Sequence, residues 1–271
     1  MSWWSEILSW FGGSSSSKSP PAFGKGTIGG YGPVNIWWKM PDSTLKKILA
    51  RMDKKNVRYF PVEAVGNASE DVLGIPAKMD AVKKKYKLVL SECRRLGIWF
   101  APILFNDNAG KGNWMNGGVA LSQRMGQARA FIDWIAEQGG KSHLVITPVG
   151  ETRTSAGSQL EAYAAQKLAG FRLCTNHGSR PQSPAAWSQY ACYHPFKTSE
   201  WPAGKSTHVL SDTGTILAAL NLGNDPYNEG NPAALKSWIS AGVKRGQAVV
   251  AYYAFQTDVY DEKSIDAMGV K

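Results

Sequence analysis

The run His143-Leu144-Val145-Ile146-Thr147-Pro148-Val149-Gly150-Glu151 is apolar almost without a break until it stops on a glycine and a carboxylate. Continuous apolarity, as opposed to strict alternation, marks a strand with both faces covered. Similar runs lie on either side of it. VNIWW (34–38), VRYFPV (57–62) and IWFAPILF (98–105) precede it. FRLCT (171–175), YACYH (190–194), HVLS (208–211) and AVVAYYAF (248–255) follow.

Amphipathic stretches of helical period separate most of these runs. Asp42-Ser43 is placed to cap a helix over 44–55, and further helices are predicted over 77–95, 121–137, 158–168 and 232–244. The connections on either side of YACYH are too short for a long helix. Eight buried strands with intervening helices in about 250 residues form the α/β pattern of a (β/α)8 TIM barrel. An open doubly wound sheet is the alternative, but it would carry a Gly-rich first turn for a nucleotide. Gly24-Lys25-Gly26 has no predicted strand before it and no helix after it.

Composition agrees with one large domain. Of 271 residues, 43% are hydrophobic and 19% charged, too apolar a balance for disorder. Eleven Trp suit a protein that stacks sugar rings, although large cores use Trp as well. The net charge of +10 favours anionic partners. The lysines are dispersed, and the densest group, Lys83 to Lys85 with Lys87, reads as the solvated face of a helix. No nucleic-acid-binding motif accompanies the charge, so nucleic acid is not an expected partner. Cys93, Cys174 and Cys192 read as buried thiols, although the last two fall on neighbouring predicted strands where one bridge could form.

Three segments are expected. Residues 1–11, MSWWSEILSWF, place Trp3, Trp4, Ile7, Leu8, Trp10 and Phe11 on one helical stripe, with Ser2, Ser5, Glu6 and Ser9 opposite. The stretch has neither the basic start nor the cleavage site of a signal peptide, and no run reaches the length of a membrane span. A flexible Gly/Ser/Pro linker is predicted over 12–26 and the barrel over 27–271. A short Trp-rich helix of this kind is expected to order against a membrane surface, a partner protein or its own barrel.

Catalytic groups of such a barrel sit where strands end and loops begin. Here those exits carry Trp37 and Trp38, then Glu63, Asn106 and Asp107, then Glu151. They continue with Asn176, His177 and Arg180, then His194, Asp212, Gln256 and Asp258. No His-x-His or HExxH pair is present and the four histidines are far apart, so no metal is expected. No lysine lies in a late strand for Schiff-base chemistry, and no phosphate-gripping glycine motif appears, so no cofactor is expected. Carboxylate chemistry remains.

With Glu151 in ITPVGE and Asp212 in HVLSDTG, the layout resembles the large clan of TIM-barrel glycoside hydrolases. The resemblance spans roughly residues 30 to 260. It implies that Glu151, at the strand-4 exit, is the acid/base and Asp212, at strand 7, the nucleophile. Two positions depart from the clan: Gly150 stands where Asn is usual, and Asp212 where Glu is usual. Glu63 and Asp107 are alternative second carboxylates. Trp38, Glu63, Asn106, Asp107, His177, His194, Tyr253 and Asp258 are expected to line the substrate. Trp37, Trp114 and Phe255 are further stacking candidates, with at least half of the aromatic candidates belonging to the core. The loop over 106–118 is expected to cover the bowl.

Each acid also has a structural reading. Glu151 could simply pair with Arg153 or Arg172, and Asp212 could organise a turn or cap a helix over 215–220. The expected function is hydrolysis of a polysaccharide, of bacterial cell wall or capsule, in a phage-borne lytic or tail protein. The alternative is a barrel that binds carbohydrate or builds a particle without turnover.

Overall fold

In the computed structural model eight strands pair in parallel, each with its neighbours in the sequence, and the last pairs with the first to close a barrel. The residues described are 17–23, 27–30, 37–65, 71–107, 114–115, 120–176, 184–193, 208–210, 240, 244 and 248–251. The strands are β1 Ile28–Gly30, β2 Tyr59–Val65, β3 Trp99–Asn106, β4 Val145–Gly150, β5 Arg172–Asn176, β6 Tyr190–Tyr193, β7 His208–Leu210 and β8 Ala248–Ala251. Four long helices, α1 Asp42–Lys54, α2 Pro76–Leu96, α3 Leu121–Gln138 and α4 Ser155–Lys167, lie between the early strands. The (β/α)8 expectation holds. The helices predicted over 215–220 and 232–244 fall outside the described residues, apart from helical Ser240 and Lys244.

β1 corrects the sequence reading. Gly29 pairs with Tyr59 on one side and Val250 on the other, so IGG, and not VNIWW, is the first stave. A run of two glycines has little strand propensity, which is why the richer apolar run stands out in the sequence. Trp37–Lys39 instead forms a 3₁₀ turn, and both tryptophans are buried in the main core. Trp37 is wholly buried; its Nε1 donates to the Glu63 carbonyl at 2.8 Å and its ring packs edge-on against Phe100.

The helices follow their apolar stripes. Leu45, Ile48, Leu49 and Met52 bury one face of α1, at the i, i+3, i+4, i+7 spacing. Asp42 does not cap that helix from outside as expected. Pro41 takes the position before the first turn and Asp42 lies within it, its carboxylate paired with Lys85. Lys85 is thereby tied down, while Lys83 and Lys87 lie over the Trp134 ring; of this cluster, only Lys84 and Lys87 are exposed. Pro76 opens α2, and Gly97, at φ 69°, closes it in the left-handed conformation that glycine adopts without strain.

A second cluster fills the barrel itself: Tyr59, Trp99, Ala101, Ile103, Val145, Cys174 and Cys192, with Phe23 and Tyr190 against it. All three cysteines are buried free thiols. Burial pushes the Cys93 and Cys174 thiols up, which makes them poor nucleophiles.

Phe23 belongs to a segment expected to be flexible linker. Residues 18–23 instead cross the N-terminal end of the barrel as a strap. Lys18 N donates to the Arg94 carbonyl at 3.0 Å, and the Lys18 carbonyl lies 2.8 Å from Nε2 of buried His143. Trp99 Nε1 donates to the Pro21 carbonyl at 2.9 Å. The Phe23 ring meets the rings of Tyr59, Trp99 and Tyr190, the first residues of β2, β3 and β6, at 5.0, 5.7 and 4.6 Å. The correction therefore applies to residues 18–23 of the predicted linker. Residues 1–11 lie outside the described residues. No helix among the described residues is long and apolar enough to cross a membrane.

Candidate active site at the strand ends

β2, β3 and β4 bring three of the expected acids to the C-terminal end of the barrel. Asn106 and Gly150 are paired across β3 and β4, so Glu151 leaves β4 one residue beyond the level of Asn106 on the adjacent strand. Asn106 Nδ2 donates to Glu63 Oε1 at 3.1 Å, which joins β2 to β3 through the site. Glu151 follows immediately on β4 with φ 51°. Left-handed backbone at a residue other than Gly, Asn or Asp costs on the order of 1 kcal/mol and collects at functional sites. Its side chain is 18% exposed, and the carboxylate accepts from Arg153 Nη2 at 2.6 Å.

The ion pair with Arg153 realises one of the two structural readings of Glu151. Arg172, the other candidate partner, lies over the Trp99 ring and donates to the Lys141 carbonyl. The apolar surround expected for an acid catalyst is thus replaced, on one side, by a guanidinium.

Asp107 corrects the sequence expectation. It is wholly buried, and its carboxylate turns under the β4–α4 loop instead of lining the bowl. Its Oδ2 accepts from the backbone N of Arg153 at 2.7 Å and of Thr154 at 2.8 Å, and both oxygens lie 2.9 Å from Thr154 Oγ1. Thr154 in turn caps α4, its Oγ1 accepting from Gly157 N at 3.0 Å. A Cβ at Gly157 would collide with the Asp107 carboxylate, so glycine is required there by close approach. This cap starts α4 three residues earlier than the apolar pattern predicts. Asp107 is therefore neither a substrate contact nor a second catalytic carboxylate. It positions the loop that carries Glu151 and Arg153.

Trp38 and Trp114 are corrected as well. They are 8% and 2% exposed, part of the main core, and unable to present a face to a sugar. The Trp114 ring packs against that of Phe105. Of the aromatic candidates, Trp37, Trp38 and Trp114 are core, as expected of at least half. Asp212, His177, His194, Tyr253, Phe255 and Asp258 lie outside the described residues. Among the described residues no group of three or more His, Cys, Asp or Glu side chains could hold a metal ion.

Residue reasoning misses Arg153 as a site group, the Thr154 cap and the Phe23 strap. Thr154 has a signal: a hydroxyl residue three before Gly157 at a helix start. Arg153 has none beyond its spacing from Glu151.

No protein-family model and no characterised protein sequence matches the chain. Solved structures match in fold. A glycoside hydrolase family 5 protein from Bacteroides vulgatus superposes with a TM-score of 0.54 at 10% identity, covering 87% of this chain and 60% of that one. The endo-β-1,4-mannanase from Thermotoga petrophila gives 0.56 at 8% identity, covering 89% and 75%. The endo-1,4-β-mannanase from Rhizomucor miehei gives 0.57 at 8% identity, covering 90% and 93%. Against the first of these the chain spans less than two thirds of its relative's length. The likeness is one of fold: this chain is a TIM barrel of the shape those glycoside hydrolases share.

Proposed function

We propose that the chain is a glycoside hydrolase acting on a polysaccharide, with Glu151 as its acid/base. The observation that carries this reading is Glu151 itself. It follows a fully buried strand in left-handed backbone, partly exposed at the C-terminal end of a closed barrel, while neighbouring Asp107 is consumed by structure. The fold shared with mannan-cleaving barrels supports it. Protonated Glu151 would donate to the glycosidic oxygen as the C–O bond breaks, and a second carboxylate would meet the oxocarbenium-like centre. Asp212 is the proposed partner and Glu63 the reserve. A carboxyl separation of about 5–5.5 Å gives retention and about 6.5–9.5 Å inversion. Cell wall or capsule is the proposed source of the polymer and a phage-borne lytic protein its setting. The Trp-rich stripe of residues 1–11 and the basic charge of the chain support that setting.

Glu151→Gln tests the assignment on β-1,4-mannan, purified peptidoglycan and capsular glycans. Turnover should fall by about 10²–10⁴-fold with folding intact. Retention of more than half the wild-type rate sinks it. For Asp212, the Ala variant should be inactive and partly rescued by azide with inverted product. A lowered melting temperature with unchanged specific activity would make it a turn residue. The second reading, a barrel that binds carbohydrate without turnover, is favoured by the Glu151–Arg153 pair, which occupies the acid. It predicts glycan binding by the wild type with no product.

A further inference from the structure

Arg153 is built like a reader of negative charge. Its backbone N is fixed by buried Asp107 and the next residue by the same carboxylate, so the guanidinium hangs from a pinned point. The side chain is 53% exposed, and among the described residues its guanidinium makes one hydrogen bond, from Nη2 to Glu151. Nε and Nη1 remain to complete a two-pronged grip on a planar oxyanion. A carboxylate already sits on one prong, that of the proposed acid catalyst. While Glu151 accepts from Arg153 at 2.6 Å, that oxygen is not free to hand a proton to a glycosidic oxygen. The pair must part, and a half-exposed ion pair is cheaply exchanged.

We propose that Arg153 recognises the carboxylate of a uronic acid in the substrate, and that the sugar's carboxylate replaces that of Glu151 on the guanidinium. This inference rests on the glycosidase reading and narrows it to an acidic polysaccharide. The exchange is carboxylate for carboxylate, so the guanidinium's geometry need not change. It also couples recognition to chemistry: the substituent that selects the substrate draws the guanidinium off the Glu151 oxygen that accepts from it. The net charge of +10 draws such polymers to the chain.

The test is calorimetric binding to the full chain of oligosaccharides from hyaluronan, glucuronoxylan, polygalacturonate and alginate, each compared with its carboxyl-reduced form. At least one acidic form should bind about 10- to 100-fold tighter than its reduced twin. Arg153→Gln should erase that difference by weakening the acidic form alone. Arg153→Lys, which keeps the charge and loses the fork, should fall between. If no acidic form binds better than its reduced twin, or if Arg153→Gln keeps the discrimination, the proposal is overturned. Glu151→Gln turnover separates the two ideas. Full activity in that variant with discrimination intact defeats the acid/base role of Glu151 alone, and binding with discrimination but no turnover by the wild type defeats the glycosidase reading alone. Lost activity on a neutral glycan with no discrimination defeats the Arg153 proposal alone.

Discussion

Glu161, on α4, accepts from Thr152 Oγ1 at 2.7 Å. Burial raises its pKa, the Thr152 hydroxyl opposes that, and the charge of Asp107 adds to it. The sign of the pH effect follows. At low pH the group is protonated in both states and contributes nothing. As pH rises, the unfolded chain loses the proton first, so the folded state is penalised from the ordinary carboxylate range up through the raised value and beyond. Glu161→Gln should therefore gain stability relative to wild type between about pH 4 and pH 7, read by urea denaturation at both. An equal difference at the two pH values would refute it. At this scale the sequence is half legible. Asn106 and Asp107 both stand out as strand-end polar groups, yet one joins the site and the other turns beneath it. Successive strand residues face opposite ways, so one position decides between substrate and scaffold. Composition cannot show which.

Elements are more legible than residues, because helical stripes and doubly buried runs extend over many positions. β2 to β8 all lie within or beside the apolar runs that predict them, and α2 and α3 match to within a residue or so. β1 escapes a sequence reading because its pairing partners, not its own side chains, make it a strand. α4 begins early because its start depends on Asp107, from another strand. That dependence gives a prediction. Asp107→Ala removes a buried acceptor from two backbone N–H groups and a hydroxyl. It should cost at least about 3 kcal/mol, since a hydrogen bond to a charged group is worth about 1.5–3. Asp107→Asn, which keeps an acceptor, should recover part of this. Gly157→Ala should reproduce the loss by displacing the carboxylate. Denaturant midpoints on the three variants decide; a neutral Asp107→Ala would show that the loop is held elsewhere.

For the whole molecule, the strap is the feature that composition misdescribes. Ser, Lys and Pro read as linker because they bury little side chain, but residues 18–23 dock mainly through backbone carbonyls and one phenyl ring. Phe23→Ala should lower stability by about 2 kcal/mol, less than a fully buried Phe because the ring is only half covered. Removing residues 1–16 should leave the melting temperature unchanged, and removing 1–23 should lower it further than Phe23→Ala. Equal melting for both truncations would show that the strap contributes nothing. Its place has a directional consequence. The strap fastens Lys18 beneath the barrel, at the end opposite Glu151, and residues 12–17 can span at most about 20 Å. Were residues 1–11 to dock on a support, as proposed for them, that support would lie behind the barrel, and the protein would stand with its back to it and the Glu151 end toward the surrounding medium.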